Sequence, residues 1–316
     1  MRGVLAAALF VGALIVAAPA AAASPPVIRD GVSVHGLAVG GLTRTQAKAV
    51  LQEYAQRPFV FRFRHRRWTA PTWKVGSKAL VGAALDAALA APADTEVPLH
   101  TTVDIARLRH YVAGLEARLS KAPIDTRVVL KDLHPRLTQA RRGTDVIQWQ
   151  TRMLVRHEIK LLGRGPVRVQ FRFLEPRITK ANFPPAIVIR RGSHRLYLYS
   201  GPRMRFRASF GVAVGQPIYP TPLGKWTIVT KQRNPWWYPP NTAWAAGASP
   251  IPPGPGNPLG TRWMGLSASG VGIHGTPDAA SIGYSASHGC IRMRIPDAEW
   301  LFEHVVVGTT VFIVAS

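Results

Sequence analysis

Apolar and polar positions alternate with two different periods along this chain, and the period changes near residue 184. "VIRDGVSVHGLAVGGL" alternates like a half-buried strand and closes on Gly40 and Gly41. "LTRTQAKAVLQEYAQR" switches to helical spacing: Ala47, Val50, Leu51 and Tyr54 share a face, and Thr43 with Gln46 forms a capping-box pair. "FVFRFRHRRWTAPTW" returns to period two as two strands, with Arg62, Arg64 and Arg66 on one side. Helices follow at about Lys78 to Ala91, from about Asp104 (Ile105, Leu108, Val112 and Leu115 in register) and from about Asp145. Strands are expected at "TRVVLKDL", "RLTQA" and "VRVQFRFLEP". The pattern predicts an α+β region over 27–178, one module or two weakly similar halves, and no cluster in it is equipped for chemistry.

"ITKANFPP" reads as a linker over 179–185, because Pro184 and Pro185 stop regular structure. Beyond it the pattern is mostly β over 186–315. "AIVIRRGSHRLYLYS" is a hairpin, and "FRASFGVAV" and "GKWTIVT" are further strands. Residues 232–262 are then dense in Pro and Gly. A loop this long in a domain is functional or disordered, and Trp236, Trp237, Tyr238 and Trp244 point to an ordered lid.

The N-terminus changes the compartment. Arg2, an apolar run from Val4 to Ala18, and Ala21 and Ala23 ahead of Ser24 read as a signal peptide over 1–23, or as an uncleaved anchor. Either reading puts residues 24–316 outside the cytoplasm as a soluble ectodomain, free or held to the membrane through the N-terminus. Charge narrows the partners: 40 Lys and Arg against 16 Asp and Glu give +24. Such a surface suits a polyanion. Export argues against nucleic acid and for anionic wall polymers or lipid headgroups, with a merely solubilising surface as the alternative.

An exported chain with one cysteine has no internal disulfide, so Cys290 is inert, intermolecular or reactive. Its neighbours favour reactivity. In "GIHGTPDAASIGYSASHGCIRMR", His274 ends an apolar run, and Gly275 and Gly289 permit two tight turns that could bring imidazole to thiol. A neighbouring imidazole takes a thiol's proton and frees the nucleophile. Backbone N–H groups of His288, Gly289 and Cys290 could hold an oxyanion, and Arg292 could clamp a carboxylate. Zinc held by His274, His288 and Cys290 is the competing reading. It is disfavoured by the close spacing of the last two and by the lack of an acidic base.

"IHGTPDAASIGYSASHGCIRM" resembles the signature of the L,D-transpeptidase catalytic domain, the YkuD-like family, and the resemblance extends over roughly 186–314 through "TPLGKW" and "PPGPGNPLGTRWMGLS". Arg292 stands where other members carry Asn. The segment "GVSVHGLAVGGLTRTQAKAVL" resembles the peptidoglycan-binding module associated with VanW- and YoaR-like proteins. The resemblance implies a β-sandwich catalytic domain in the bacterial cell envelope, periplasm or wall. In it Cys290 is the nucleophile, His274 the general base and acid, and the Gly275 carbonyl orients the imidazole. Ser287, His288, Arg292, Trp263, Trp236, Trp237 and Tyr238 would bind substrate. The implied reaction removes D-Ala from peptidoglycan stem tetrapeptides through a thioester and passes the acyl group to a neighbouring stem amine, a 3-3 cross-link in wall biogenesis. It uses no metal or other cofactor, and carbapenems would acylate Cys290. L,D-carboxypeptidase action, attachment of a protein to the wall, and a non-enzymatic wall binder are the rival readings.

Overall fold

The computed structural model describes residues 26–163 and 165–316. The expected signal segment, 1–23, lies outside the described residues. Among the described residues no helix is long and apolar enough to cross a membrane. The chain divides into two units, one running to Arg118 with Val146–Gln170 added, the other Leu119–Asp145 with Phe171–Ser316.

In the first unit the predicted helices form at Arg44–Gln56, Val81–Ala90, Ile105–Leu119 and Gln148–Lys160. The Thr43 capping box is complete: Gln46 N donates to Thr43 Oγ1 while the Gln46 side chain accepts from Thr43 N. Ala47 and Leu51 are buried with Ile28, Val34, Leu85 and Leu162, the core that the helical spacing anticipated. The first segment makes only short strands, Ser33–Val34 and Leu37–Ala38, paired to each other. One face differs from expectation. Phe59–Phe63 pairs antiparallel with Arg66–Ala70 around a two-residue turn at Arg64–His65, where Arg64 takes a φ of 53°. The turn sets Arg62 opposite Arg67 and Phe63 opposite Arg66. Arg67, not Arg66, therefore shares the face of Arg62, because a hairpin turn reverses the chain where plain alternation would continue it.

The second unit does not begin at a linker. Its hairpin Val128–Lys131 with His134–Leu137 belongs to it, and Val128 is buried against Ala186, Val188, Tyr199, Met204 and Phe312. Lys225 Nζ donates to Val128 O at 3.1 Å. The flank of 179–185 is tied in as well: Ile178 N donates to Asp125 Oδ1 and Thr126 N to Ile178 O, and within the segment Thr179 N donates to Asn182 Oδ1 while Phe183 packs against the same cluster. The expected division at 178/179 thus differs from the observed one. A short hairpin with one apolar side covers the sheet that follows later in the chain, and local patterning carries no sign of that partner.

Eight strands form one sheet, in the order Arg205–Gly211, Arg195–Ser200, Ala186–Arg190, Thr310–Val314, Gly224–Arg233, Arg262–Leu266, Gly272–Thr276, Ile291–Arg294. The ten-residue strand Gly224–Arg233 makes the corner. Its first half pairs with Thr310–Val314, its second with Arg262–Leu266, and the register shifts between Ile228 and Thr230. The two edges then nearly meet, since Ala213 and Arg292 exchange backbone hydrogen bonds at 3.0 and 2.9 Å. The architecture is largely β as expected, but one sheet nearly closed into a barrel replaces the anticipated two-sheet sandwich. The bent strand is long enough to serve both layers and leaves no second sheet to separate.

Helix Ile295–His304 closes the apolar interior with Ala298, Leu301 and Phe302, beside Ile273, Ile291 and Met293. Lys231 reaches its C-terminal end, donating to Phe302 O at 2.5 Å and Val305 O at 2.6 Å. A cation there satisfies carbonyls that have no intrahelical partner. Lys231→Met keeps the stem but orphans both acceptors. A loss of about 1–3 kcal/mol in chemical denaturation is expected; unchanged stability would show that water replaces the ammonium without cost.

Candidate active site

His274 lies on the strand Gly272–Thr276, and Cys290 immediately precedes Ile291–Arg294, which runs parallel to it with Ile273 beside Ile291 and His274 beside Arg292. Side chains alternate across a sheet, so both isoleucines face the interior, where each is fully buried, and Gly272, His274, Cys290 and Arg292 share the other face. Sixteen residues of separation become a diagonal neighbourhood. A parallel pair needs a crossover, and here the crossover, residues 277–290, is the segment that ends in the cysteine loop.

Glycines make room on that face. Trp263 pairs with His274 on the adjacent strand, their ring centroids 5.8 Å apart, and its indole lies across Gly272 and Gly265. A Cβ on Gly272 would come within 2.3 Å of the indole, one on Gly265 within 2.5 Å of Thr230 Oγ1. Trp263 therefore walls the imidazole on one side.

His274 Nδ1 lies 2.6 Å from Gly275 O. A carbonyl only accepts, so Nδ1 carries the proton and Nε2 presents a lone pair. Burial pulls the imidazole down to about 4, assisted by the Arg292 charge and opposed by the Gly275 bond, so the ring is neutral at pH 7. Burial also pushes the Cys290 thiol up, against smaller lowering effects from the Gly272 backbone and Arg292. Sγ donates to Gly270 O at 3.6 Å, so the thiol is turned to the backbone of the neighbouring strand end. The resting site is a neutral thiol beside a neutral base.

The loop Ser287–Cys290 is held by its own side chain. Ser287, buried, donates through Oγ to Cys290 O at 2.6 Å and accepts from Gly289 N at 3.1 Å. Its hydroxyl is spent on the turn. Of the three expected oxyanion donors, the Gly289 N–H is likewise committed, while the N–H groups of His288 and Cys290 remain as candidates. Gly289 adopts a φ of 109°, which a side chain would oppose. Thr221, fully buried, completes the support: Oγ1 accepts from Gly215 N and donates to Gly289 O, both within 2.9 Å. "TPLGKW" was legible as a motif, yet the threonine's task depends on a partner 68 residues away.

Arg292 is mostly buried and stands 3.6 Å from Asp278 Oδ2. Its charge faces His274 and is only partly countered, which leaves it able to receive a carboxylate. His288 is exposed and lies between two rings: Trp244 stacks on it at 4.0 Å and 12°, and Tyr219 approaches at 5.1 Å. Trp244 is the lid residue that reaches the cysteine loop. Trp237 stands behind it at 6.5 Å, whereas Trp236 and Tyr238 stack on each other and are 49% and 67% exposed. The lid is ordered, as its aromatics suggested, but the ordering centre is Asn257. Buried, it donates to the carbonyls of Pro235, Ile251 and Pro252 and accepts from Leu259 N. Nothing in a Pro- and Gly-rich stretch marks one asparagine as its hub. Gly260, at the lid's end, packs on the Gly275 backbone, where a Cβ would come within 3.0 Å.

Residues 184–313 match the family model of YkuD, the L,D-transpeptidase catalytic domain. YqjB of Bacillus subtilis, provisionally named an L,D-transpeptidase, is 38% identical over 109 residues, 33% of this chain and 57% of that protein. ErfK/SrfK of Escherichia coli K12, named in the same provisional way, is 39% identical over 141 residues, 40% of this chain and 43% of its own. The chain thus spans about half the length of these relatives. Among solved structures, an L,D-transpeptidase from Mycobacterium smegmatis aligns over 69% of this chain and 89% of its own at 14% identity, with a TM-score of 0.39.

Asn257→Ala removes four hydrogen bonds from the lid and none from the sheet. Hydrogen exchange should accelerate at least about tenfold over 235–260 and stay unchanged over 272–276, since local opening is set by the bonds lost locally. Equal protection in the variant would refute Asn257 as the hub.

Proposed function

We propose that this protein is a cysteine-dependent L,D-transpeptidase of the bacterial envelope, acting on peptidoglycan stem peptides. The observation that carries the reading is the shared sheet face of His274 and Cys290, with the imidazole tautomer set by Gly275 O, inside a segment that matches the YkuD family. Rotation of the thiol away from Gly270 O brings its proton to Nε2 of His274. The sulfur then attacks the carbonyl carbon of the third stem residue, and the N–H groups of His288 and Cys290 receive the oxyanion. Collapse breaks the amide C–N bond, Nε2–H passes its proton to the departing D-alanine amine, and a thioester remains. An acceptor amine attacks the thioester, His274 takes its proton, and the proton returns to sulfur as the new amide forms.

The other residues divide the remaining work. Arg292 holds a stem carboxylate, Trp263 shields the imidazole, and Trp244 with His288 forms the lid contact over the donor. No step calls on a metal or another cofactor. The third residue of a catalytic triad is here a backbone carbonyl, so His274 is held without an added negative charge and stays neutral until the thiol proton arrives. The N-terminal unit, on this reading, holds the enzyme to the wall.

Cys290→Ala should abolish both D-alanine release from a stem tetrapeptide and the mass increment left by a carbapenem on the intact protein. Continued release by that variant would sink the mechanism. Supplying a free D-amino acid separates transfer from hydrolysis: an exchanged tetrapeptide is expected, and tripeptide alone would make the enzyme a carboxypeptidase.

The pH profile tests the base. A neutral His274 is competent wherever it is unprotonated, so the acid limb of kcat/KM should fall near 4 and not near 6.5. Linkage has the same sign. The unfolded histidine binds a proton below about 6.5 while the folded one resists until about 4, so this group's stability contribution is full above 6.5 and is lost as pH falls between those values. An acid limb centred at 6.5 would show a solvated imidazole.

A further inference from the structure

The sheet of the first unit carries an arrangement that acyl transfer does not use. Its three strands are Val167–Arg168, Phe59–Phe63 and Arg66–Ala70, in that order. Register sets Arg168 beside Arg62 and Arg62 opposite Arg67. Residues opposed in register point to the same side, so three arginine side chains leave the sheet side by side, on strands about 4.8 Å apart. All three are exposed. The other side of these strands is apolar and buried, with Phe59, Phe61, Phe63, Val167 and Val169. The row is therefore fixed by the core and cannot turn away.

Like charges directly opposed across strands destabilise a sheet, and the usual remedy is an interleaved carboxylate. None is present. The neighbours on this side are Val60, Thr69 and Gln170. Among the described residues, the ion pairs involve other arginines, and none of these three guanidinium groups makes one. A row of exposed guanidinium groups offers little to an apolar or neutral small ligand. It offers an evenly spaced line of two-pronged donors to a ligand whose negative charges also repeat along a line.

We propose that Arg62, Arg67 and Arg168 form a docking face for a linear polymer carrying phosphodiester groups. Each phosphodiester presents two unesterified oxygens to one guanidinium fork, which accounts for arginine at all three places. Polymer binding supplies the counter-charge that the sheet lacks, and the chain's +24 adds long-range attraction without defining a site.

The test uses the full chain and poly(glycerol phosphate) as probe. A triple variant, Arg62→Gln, Arg67→Gln and Arg168→Gln, is compared with a control of equal charge change at the exposed Arg203, Arg205 and Arg207. The ladder variant should bind about tenfold or more weakly at 0.15 M salt. Its slope of log affinity against log salt should shrink by about 2–3, the number of phosphate contacts removed. The control should lose less than about threefold. The ladder variant should also unfold at the same or a higher temperature, because repulsion has been relieved, so weakened binding cannot be ascribed to misfolding. Carbapenem acylation of Cys290 should be unchanged in both, which keeps this result separate from the fate of the transpeptidase reading. Equal losses in the two variants would overturn the proposal by reducing it to net charge. So would wild-type binding to hyaluronate or phosphatidylglycerol vesicles as tight as to poly(glycerol phosphate).

Discussion

The site depends on one pairing, the parallel register of Gly272–Thr276 with Ile291–Arg294. A hairpin would have joined these strands antiparallel within a few residues and left no room for a loop. The parallel arrangement obliges the chain to travel back along the sheet before re-entering it. Cys290 stands at the point of re-entry, where the backbone is still turning and its N–H groups are not yet consumed by the ladder. The same register buries Ile273 and Ile291 at the centre of the core, so a one-residue slip would exchange them with His274 and Arg292 and bury a charge. The cost of that exchange is what fixes the functional face.

Steric economy on that face follows from the pairing. Three strands contribute Trp263, Gly265, Gly272, His274 and Arg292 side by side, and the indole fits only because two of those places lack a Cβ. Beneath the loop, Thr221 and Ser287 spend their hydroxyls on backbone groups of Gly215, Gly289 and Cys290. These residues touch no reacting atom in the proposed mechanism. They determine which backbone donors stay unpaired, and so where an oxyanion could sit.

What was legible in the sequence was whatever is set by neighbours in the chain. The Thr43 capping box and the Ala186–Ser200 hairpin follow from local spacing and appear as read, as do the helical faces of the first unit apart from Val50 and Ile105, which are exposed. Cys290 and His274 could be paired on chemistry and resemblance before any geometry was known. The misplaced features depend mostly on distant partners, with one local turn as the exception. The hairpin at 128–137 packs on a sheet whose first strand starts about fifty residues later in the chain. A turn at Arg64 moved Arg67 into the place expected for Arg66. A single bent strand, Gly224–Arg233, turned an expected sandwich into a nearly closed barrel. Asn257 and Thr221 act through backbone atoms, whose identity no residue type reveals.

Protonation completes the physical account of the site. A buried thiolate and imidazolium would have to be stabilised against desolvation from the start, and the one nearby cation, Arg292, disfavours the imidazolium. The neutral pair avoids that cost in the resting state. On the proposed mechanism the nucleophile is then not stored as an ion: the proton moves as the sulfur closes on carbon, and the negative charge passes to an oxygen facing the backbone N–H groups. A site of this kind is quiet toward small electrophiles and depends on a substrate that fills the space under the lid. On the same mechanism burial stays the main cause of the low imidazole basicity, and a substrate carboxylate at Arg292 would relieve only the smaller part that the arginine charge contributes.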